Sequence, residues 1–157
     1  MAKVNKLGFE GKMYYNLTAI TVAANWESTG SWVEVTAVRD VTQDGDADES
    51  DVTSRGSGGH KQTRAGLRDD SVDFDLVWDG VIATEPGKAV DAFRAARFDG
   101  TEITLAILDG DIDTAGSRGV VGNFAVLKCS RAEPLTDAMT YSVTVKPGSL
   151  VTWGVAT

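Results

Sequence analysis

The 157-residue chain has one histidine and one cysteine, two residue types that commonly serve acid–base and nucleophilic catalysis. His60 lies in the Gly/Ser-rich stretch Ser54 to His60, where a catalytic base is hard to hold in place. Cys129 lies within an apolar strand pattern, on the same face as Ala125 and Leu127, which indicates a small core residue and not a thiolate nucleophile. We therefore predict no catalytic residues and no enzyme.

Two groups of aspartates have the one, three, five spacing of a calcium-binding loop, namely Asp44, Asp46, Asp48 and Asp109, Asp111, Asp113. That loop needs glycine at its sixth position, and this chain has Glu49 and Thr114 there. The pair Asp109-Gly110 is more simply a tight turn. The sequence thus predicts no metal and no cofactor, and it leaves a calcium- or carbohydrate-binding β-sandwich module as an alternative.

The formal charge of −8 is concentrated in one segment. Residues 40–79 hold eleven acids and four bases, and four minus eleven leaves −7. Within this segment, Asp44 to Asp51 carries only acids, whereas Val52 to Arg68 carries the four bases and no acid. Since nucleic-acid binding requires many bases against phosphates, we do not expect this chain to bind DNA specifically.

The two oppositely charged halves of this segment flank a Gly/Ser-rich tip, which predicts an extended hairpin that docks on a neighbouring molecule. The alternative is an ordinary solvated loop. The residues expected at the contact are Asp44, Asp46, Asp48, Glu49, Asp51, Arg55, Lys61, Arg64 and Arg68.

Alternation of apolar and polar residues at period two predicts that strands dominate the fold. It is clearest in Ser71 to Asp79 and in Met139 to Lys146, which we expect to end at Pro147-Gly148. Gly119 to Arg131 is apolar on both faces, which predicts a strand between two layers. Further strands are predicted at Lys12 to Asn16, Thr18 to Ala23, Ser31 to Thr42, Thr101 to Asp109 and Ser149 to Gly154.

One helix is predicted, from Thr84 as N-cap to Asp99-Gly100, with Val90 and Phe93 on its buried side. No internal repeat and no linker divides the chain, so we expect a single domain over residues 1–157 with a long inter-strand loop at about 42–66. The predicted architecture is mainly β, a β-sandwich or small barrel with one flanking α-helix. No apolar stretch reaches the ~18 residues of a membrane span, so no membrane insertion is expected.

A diffuse pattern covers most of the chain, in Phe9 to Lys12, Trp32 to Thr36, Val38 to Thr42, Asp51 to Gly56, Leu67 to Phe74, Ile107 to Gly110 and Ser130 to Leu135. It resembles the major tail tube protein of long-tailed, siphovirus-type bacteriophages. The resemblance implies a structural virion protein of the tail, present in the host cytoplasm during assembly. An inner tube protein of a contractile injection or secretion system is the alternative that the same fold would serve.

The resemblance further implies hexameric rings that stack into a tube through which DNA passes without specific binding. The inner sheets of a ring would close into one barrel of about 24 strands, wider than the porins that already leave an aqueous channel. The loop Thr42 to Gly66 would reach the adjacent ring. Tape-measure and tail terminator proteins are the other partners that the resemblance implies.

A wall that lets DNA pass must not attract it, because each basic side chain on the wall would release counterions and add affinity. One candidate for this wall is the acidic strand face of Asp73, Asp75 and Asp79. Its rival is the face of Thr140, Ser142, Thr144 and Lys146. Alternation alone does not choose between the two faces.

Overall fold

The computed structural model describes residues 5–78 and 85–157. The helix is α1 (Glu85–Asp99). The strands are β1 (Lys12–Asn16), β2 (Val33–Glu34), β3 (Val38–Asp51), β4 (Thr63–Val77), β5 (Glu102–Leu108), β6 (Arg118–Ala132) and β7 (Thr140–Val155). Short 3₁₀ segments lie at Gly8–Glu10, Ala23–Ser28 and Arg55–Ser57. The predicted mainly β fold with one helix is confirmed.

The seven strands form one antiparallel sheet in the order β2-β1-β5-β6-β7-β4-β3. The two end strands of this order, β2 and β3, are joined by only residues 35–37. The Val35 amide donates to Met13 of β1 at 2.8 Å, and Ala37 accepts from Val77 of β4 at 3.0 Å. Val35, bonded to β1, and Ala37, bonded to β4, are two residues apart, and two residues span at most about 7 Å. The sheet must therefore curl until its two ends nearly meet.

The main core lies on the side of the sheet that packs against α1. Phe93 of α1 is completely buried, with its ring centroid 5.2 Å from that of Phe74 and 6.4 Å from that of Tyr15. A smaller cluster on the other side contains Trp26 and Val121. Since Phe124 belongs to the first cluster and Val121 to the second, β6 does lie between two layers as predicted.

Helix α1 covers the sheet with the stripe that its spacing predicts. Val90 and Phe93 are buried, and Ala96 completes the stripe, whereas Arg97 is exposed. Gly100 follows the helix with φ 71°, a conformation that favours glycine and ends the helix. The predicted N-cap, Thr84, lies outside the described residues. Within the described part of the chain, no helix is long and apolar enough to cross a membrane.

Two of the predicted strands are wrong in detail. Thr18 to Ala23 forms no strand, because the backbone of Ile20 bonds to the Asn123 side chain and not to a neighbouring strand. Ser31 to Thr42 is divided into β2 and the beginning of β3. The division falls at 35–37, where the chain crosses from one end of the sheet to the other.

Pro147-Gly148 does not end the last strand, which continues to Val155 as β7. The pairing of β7 with β4 stops at Val145, whereas its pairing with β6 continues through Pro147 and resumes at Leu150. Proline has no amide hydrogen to donate and is tolerated where a strand becomes an edge. Pro147 therefore marks where β7 loses one of its two neighbours, and the predicted strand Ser149 to Gly154 is the second half of β7.

Asn123 connects the sheet to the segment that covers its outer side. Its side chain is 1% exposed, accepts from the Ile20 amide (3.0 Å) and from Thr104 Oγ1 (2.8 Å), and donates to the Ile20 carbonyl (2.9 Å). It also donates to Ser149 Oγ at 3.1 Å. These bonds satisfy both polar groups of the Ile20 backbone, which the segment cannot satisfy with strand pairing.

We expect Asn123→Ala to lower the free energy of unfolding by about 3 kcal/mol, because it leaves the amide and carbonyl of Ile20 buried without partners. Ser149→Ala removes the two hydrogen bonds of an exposed hydroxyl, from Asn123 and to Glu102, but leaves the Ile20 backbone paired, and we expect it to cost about 1 kcal/mol or less. Urea denaturation of the two variants measures the difference. Equal losses would mean that the Asn123 bonds contribute no more than the two bonds of the exposed Ser149 hydroxyl.

Candidate assembly surfaces

The outer halves of β3 and β4 form a two-stranded arm, residues 44–71, that leaves the rest of the sheet. Pairing between β4 and β7 covers only Val72 to Val77, whereas β3 and β4 pair with each other as far as Asp51 and Thr63. At about 3.3 Å per residue, the paired part of the arm is on the order of 25–30 Å long. The predicted loop Thr42 to Gly66 is therefore mostly paired strand, and the connection itself is residues 52–62.

The arm lacks a core of its own. Every residue from 39 to 69 is exposed except Ser57. Two large apolar side chains, Val52 and Leu67, are 46% and 81% exposed. An isolated two-stranded ribbon is at best marginally stable in water, so the arm gains little stability from the described part of its own subunit.

The acidic and basic halves of the arm lie side by side in the same hairpin. Ala47 pairs with Arg68 and Ser50 with Arg64, and Lys61 Nζ lies 3.9 Å from Glu49 Oε1. Ion pairs as exposed as this one add little stability. The charge complementarity that the sequence assigned to a neighbouring molecule is thus partly met within the chain, because the hairpin turn brings the two halves together.

Acidic residues lie close together on one face of the arm. The register places Asp46 directly opposite Asp69, and like charges in that position repel. Alternation puts Asp44 on the same face as Asp46, whereas Asp48 lies at a break in the register between Ala47 and Glu49.

The tip of the arm, residues 52–62, holds Arg55 and Lys61. Arg55 lies in a 3₁₀ turn, and Gly58 and Gly59 have φ of 64° and 83°, a conformation that favours glycine. At the base of the tip, the Thr53 hydroxyl and backbone amide hold the pKa of Asp51 below its ordinary value. His60 is exposed beside these glycines, where no catalytic partner holds it.

The two strand faces predicted as alternative tube walls, one on β4 and one on β7, form a single surface in the structure. The register pairs Asp73 with Thr144 and Asp75 with Ser142, so the acids of β4 and the hydroxyls of β7 point to the same side. Thr144 Oγ1 donates to Asp73, and Ser142 Oγ donates to Asp75 at 2.8 Å. Asp79, the third acid predicted there, lies outside the described residues.

We call this surface the polar sheet face, with the members Asp73, Asp75, Thr140, Ser142, Thr144 and Lys146. It adjoins the arm, because Lys146 Nζ donates to Asp69 Oδ1 at 2.6 Å. The hydroxyl donors fix the orientation of the two carboxylates without neutralising them. The polar sheet face thus carries oriented negative charge on a regular strand pair.

The candidates for catalysis and metal binding have structural roles. Cys129 is half-buried against the main core, and burial raises the pKa of its thiol, so it is less nucleophilic than a free thiol. Leu127 does not share its face as predicted but is 53% exposed, because a bulge after Val126 shifts the alternation of β6.

The aspartates of the second calcium-like group bind to groups of their own chain. Asp111 accepts from Lys12 Nζ at 2.9 Å and from the Asp113 amide at 3.0 Å, and these two contacts lower its pKa. Asp109 accepts from the Arg118 amide. No group of metal-ligating side chains occurs among the residues that the structure describes.

The sequence reasoning missed a basic cluster beside the second half of β6. Lys128 is paired with Thr144 and therefore lies on the side of the polar sheet face. Arg131 is exposed on the opposite side, towards α1, and Arg94 and Arg97 of α1 lie near enough to Cys129 for their charges to oppose the rise of its pKa. These bases lie apart in the sequence, so a count of charge along the chain does not group them. Only the packing of α1 on β6 brings them together.

No protein-family model matches the chain, and no curated protein sequence matches it. Solved structures do match. The tail of an empty gene transfer agent particle, refined helically with C6 symmetry, has a TM-score of 0.69 at 18% identity over 96% of this chain and 99% of the other. The virion of a native gene transfer agent particle has a TM-score of 0.69 at 16% identity, with the same coverage.

The SPP1 tail tube has a TM-score of 0.63 at 14% identity, covering 98% of this chain and 77% of the other. At such identities these matches establish the fold. The fold is that of tail and tail tube structures, and this confirms the resemblance that the sequence pattern indicated at the level of fold.

Proposed function

We propose that the chain is a structural subunit of a phage-type tail tube, located in the virion tail and without catalytic activity. The carrying observation is that its fold matches a C6-symmetric tail over nearly the full length of both chains. The arm fits this assignment, since every residue from 39 to 69 except Ser57 is exposed. The polar sheet face fits it through its two oriented carboxylates.

In this proposal, copies associate into hexameric rings, and the rings stack into a tube. Strands β6, β7, β4 and β3 form the sheet that carries the polar face, and four strands from each member of a hexamer account for a barrel of about 24 strands. The C6 symmetry of the matching tail supports this ring size.

The arm, in this proposal, contacts the next ring in the stack. Its members are the residues predicted at the contact, namely Asp44, Asp46, Asp48, Glu49, Asp51, Arg55, Lys61, Arg64 and Arg68. Support comes from its exposure, its lack of a core and its exposed Val52 and Leu67. Tape-measure and terminator proteins are the further partners expected of such a tube.

The polar sheet face lines the tube in this proposal, so that DNA passes without binding. Asp73 and Asp75 are held at its surface by hydroxyl donors. Negative charge on the wall repels the phosphates of the DNA and prevents counterion release, which would otherwise drive binding.

Electron microscopy of the purified protein tests the assignment. We expect hexameric rings or hollow tubes to form at high protein concentration, because the free edge of β3 and the exposed arm can pack on other copies. Sedimentation measured in parallel should show a species much heavier than 16.6 kDa. A protein that stays monomeric at high concentration and in particles would contradict the proposal.

A further inference from the structure

We infer that stacked rings meet through a second, apolar contact that is separate from the arm. In this contact, Leu135, in the turn between β6 and β7 of one copy, packs on Trp153 of a copy in the adjacent ring. The inference rests on the proposed function, which supplies the stack but assigns only the arm to the contact between rings.

An apolar strip lies exposed on the last part of β7. Its members Val151, Trp153 and Val155 alternate along the strand and are 38%, 63% and 48% exposed. The register places Trp153 beside Val120 of β6, which packs against the main core, so the strip extends the apolar side of the sheet beyond the buried core. Adjoining exposed apolar side chains mark a contact surface more often than single ones do.

The strip also lies on an open strand edge. β7 pairs with β4 only as far as Val145, and from Leu150 to Val155 its partner among the described strands is β6 alone. Another molecule can therefore reach the strip without displacing a strand of this subunit.

The strip lies at the same end of the subunit as the arm. Beyond the pair Val72 and Val145, β4 continues as the arm and β7 continues into the strip. The opposite edge of this part of the sheet is β2, and the link after β2 reaches the far end of β4, where Ala37 accepts from the Val77 amide at 3.0 Å. The strip and β2 are thus at opposite ends of the subunit, and the strip is at the end of the arm.

Leu135 lies at the end remote from the arm. Val77 pairs with Thr140 there, and the turn of residues 133–139 lies directly beyond this pair. Within this turn Leu135 is fully exposed. Because the arm leaves the subunit at one end only, stacked rings repeat head to tail, and the arm end of one ring faces the turn end of the next.

The charges beside the strip and the turn are complementary. Arg118 pairs with Val155, so it lies on the face of the strip, and its side chain makes no ion pair with the described residues. In the turn, the Asp137 carboxylate accepts from the Ala138 amide at 2.8 Å and has no basic partner among the described residues. Asp137 is two residues beyond Leu135, as Val155 is two residues beyond Trp153. One orientation of the turn therefore brings Asp137 to Arg118 while Leu135 lies on Trp153.

The apolar contact and the arm respond differently to salt. Salt screens the exposed charges of the arm, whereas apolar burial is not screened and is strengthened by salts such as sulfate. The contribution of the strip to stacking is therefore largest, relative to that of the charged groups, at high salt. Tube formation at high salt is the condition that isolates this contact.

A double-mutant cycle tests the inference, with Trp153→Ala and Leu135→Ala made singly and together. We expect Trp153→Ala to form normal hexameric rings but to need at least about tenfold more protein to form tubes at high salt, since buried tryptophans commonly dominate an interface. Leu135→Ala should raise this concentration severalfold. Because the two side chains contact each other, the double variant should be no worse than Trp153→Ala. Native mass spectrometry gives the ring size, and sedimentation with electron microscopy gives the concentration at which tubes form.

Two controls accompany the cycle. Val22→Ala shortens a side chain that is 53% exposed in the segment on the other side of the sheet, and we expect its tubes to be normal. Trp153→Phe keeps an aromatic ring in the strip and should retain tubes at high salt. Circular dichroism verifies that every variant is folded.

Three results would overturn the inference while tubes of the unaltered protein upheld the proposed function. They are unchanged tube formation by Trp153→Ala at high salt, loss of its rings together with its tubes, and additive losses in the double variant. Failure of the unaltered protein to form rings or tubes would instead contradict the proposed function.

Discussion

A subunit with a shortened arm is expected to form rings that do not stack. Replacing residues 50–64 with Asn-Gly joins Glu49 to Ala65, which face each other in the hairpin, through the turn type that two-residue hairpins prefer. The change removes the tip and its basic residues but keeps the acidic half of β3. We expect tube length to fall to one or a few rings.

The fold should tolerate this change, because the residues removed are exposed apart from Ser57 and add nothing to either core cluster. We expect the free energy of unfolding to change by less than about 1 kcal/mol. Electron microscopy gives the tube lengths and urea denaturation gives the stability. Long tubes from the shortened protein would show that the arm does not join rings.

A control of unchanged length separates the reach of the arm from its charge. Replacing Arg55, Lys61 and Arg64 with glutamine leaves the hairpin as long as before. If these bases contact the next ring, tubes of this variant should be shorter at low salt than those of the unaltered protein, and the difference should shrink at high salt because salt screens exposed charges. Tubes equal in length at every salt concentration would assign the contact to reach and shape alone.

Reversing the charge of the polar sheet face is expected to slow the passage of DNA. Asp73→Lys with Asp75→Lys changes the wall by about four charges per subunit and turns a repelling surface into one that binds phosphates. The effect repeats in every ring of a long tube. We expect DNA ejection from particles carrying this variant to slow severalfold, and more at low salt than at high salt.

The matched control is Asp73→Asn with Asp75→Asn, which removes the charge but keeps an oxygen that can accept from Thr144 and Ser142. We expect its ejection rate to lie close to that of the unaltered protein, because a neutral wall does not bind DNA. Dye fluorescence after triggered ejection measures the rates. Ejection unaffected by the lysine variant would place this face away from the DNA path.

Strand composition and the helix could be predicted from the sequence. Val72, Phe74 and Leu76 alternate at period two and are all buried. Val90 and Phe93 have helical spacing and both lie in the core. These predictions held because local side-chain periodicity directly determines which face of an element is apolar.

The relation between the polar faces of β4 and β7 could not be predicted from local sequence patterns. Alternation correctly placed Asp73 and Asp75 on one side of β4, and Ser142 and Thr144 on one side of β7. Whether these sides coincide depends on the register between two strands almost seventy residues apart, which no local pattern encodes. The predicted strand end at Pro147 is wrong for a related reason. The pairing of β7 with β4 stops before Pro147, but its pairing with β6 continues beyond it.

The sequence by itself determined the elements, the concentration of acid in residues 40–79 and the resemblance to tail tube proteins, because each depends on residues close together in the chain. Tertiary structure alone decided that the sheet curls until β2 and β3 nearly meet, and that Arg94 and Arg97 of α1 lie beside the second half of β6, close to Cys129. These features depend on long-range pairing and on the packing of α1, which are selected by burial of the whole core and not by any segment alone.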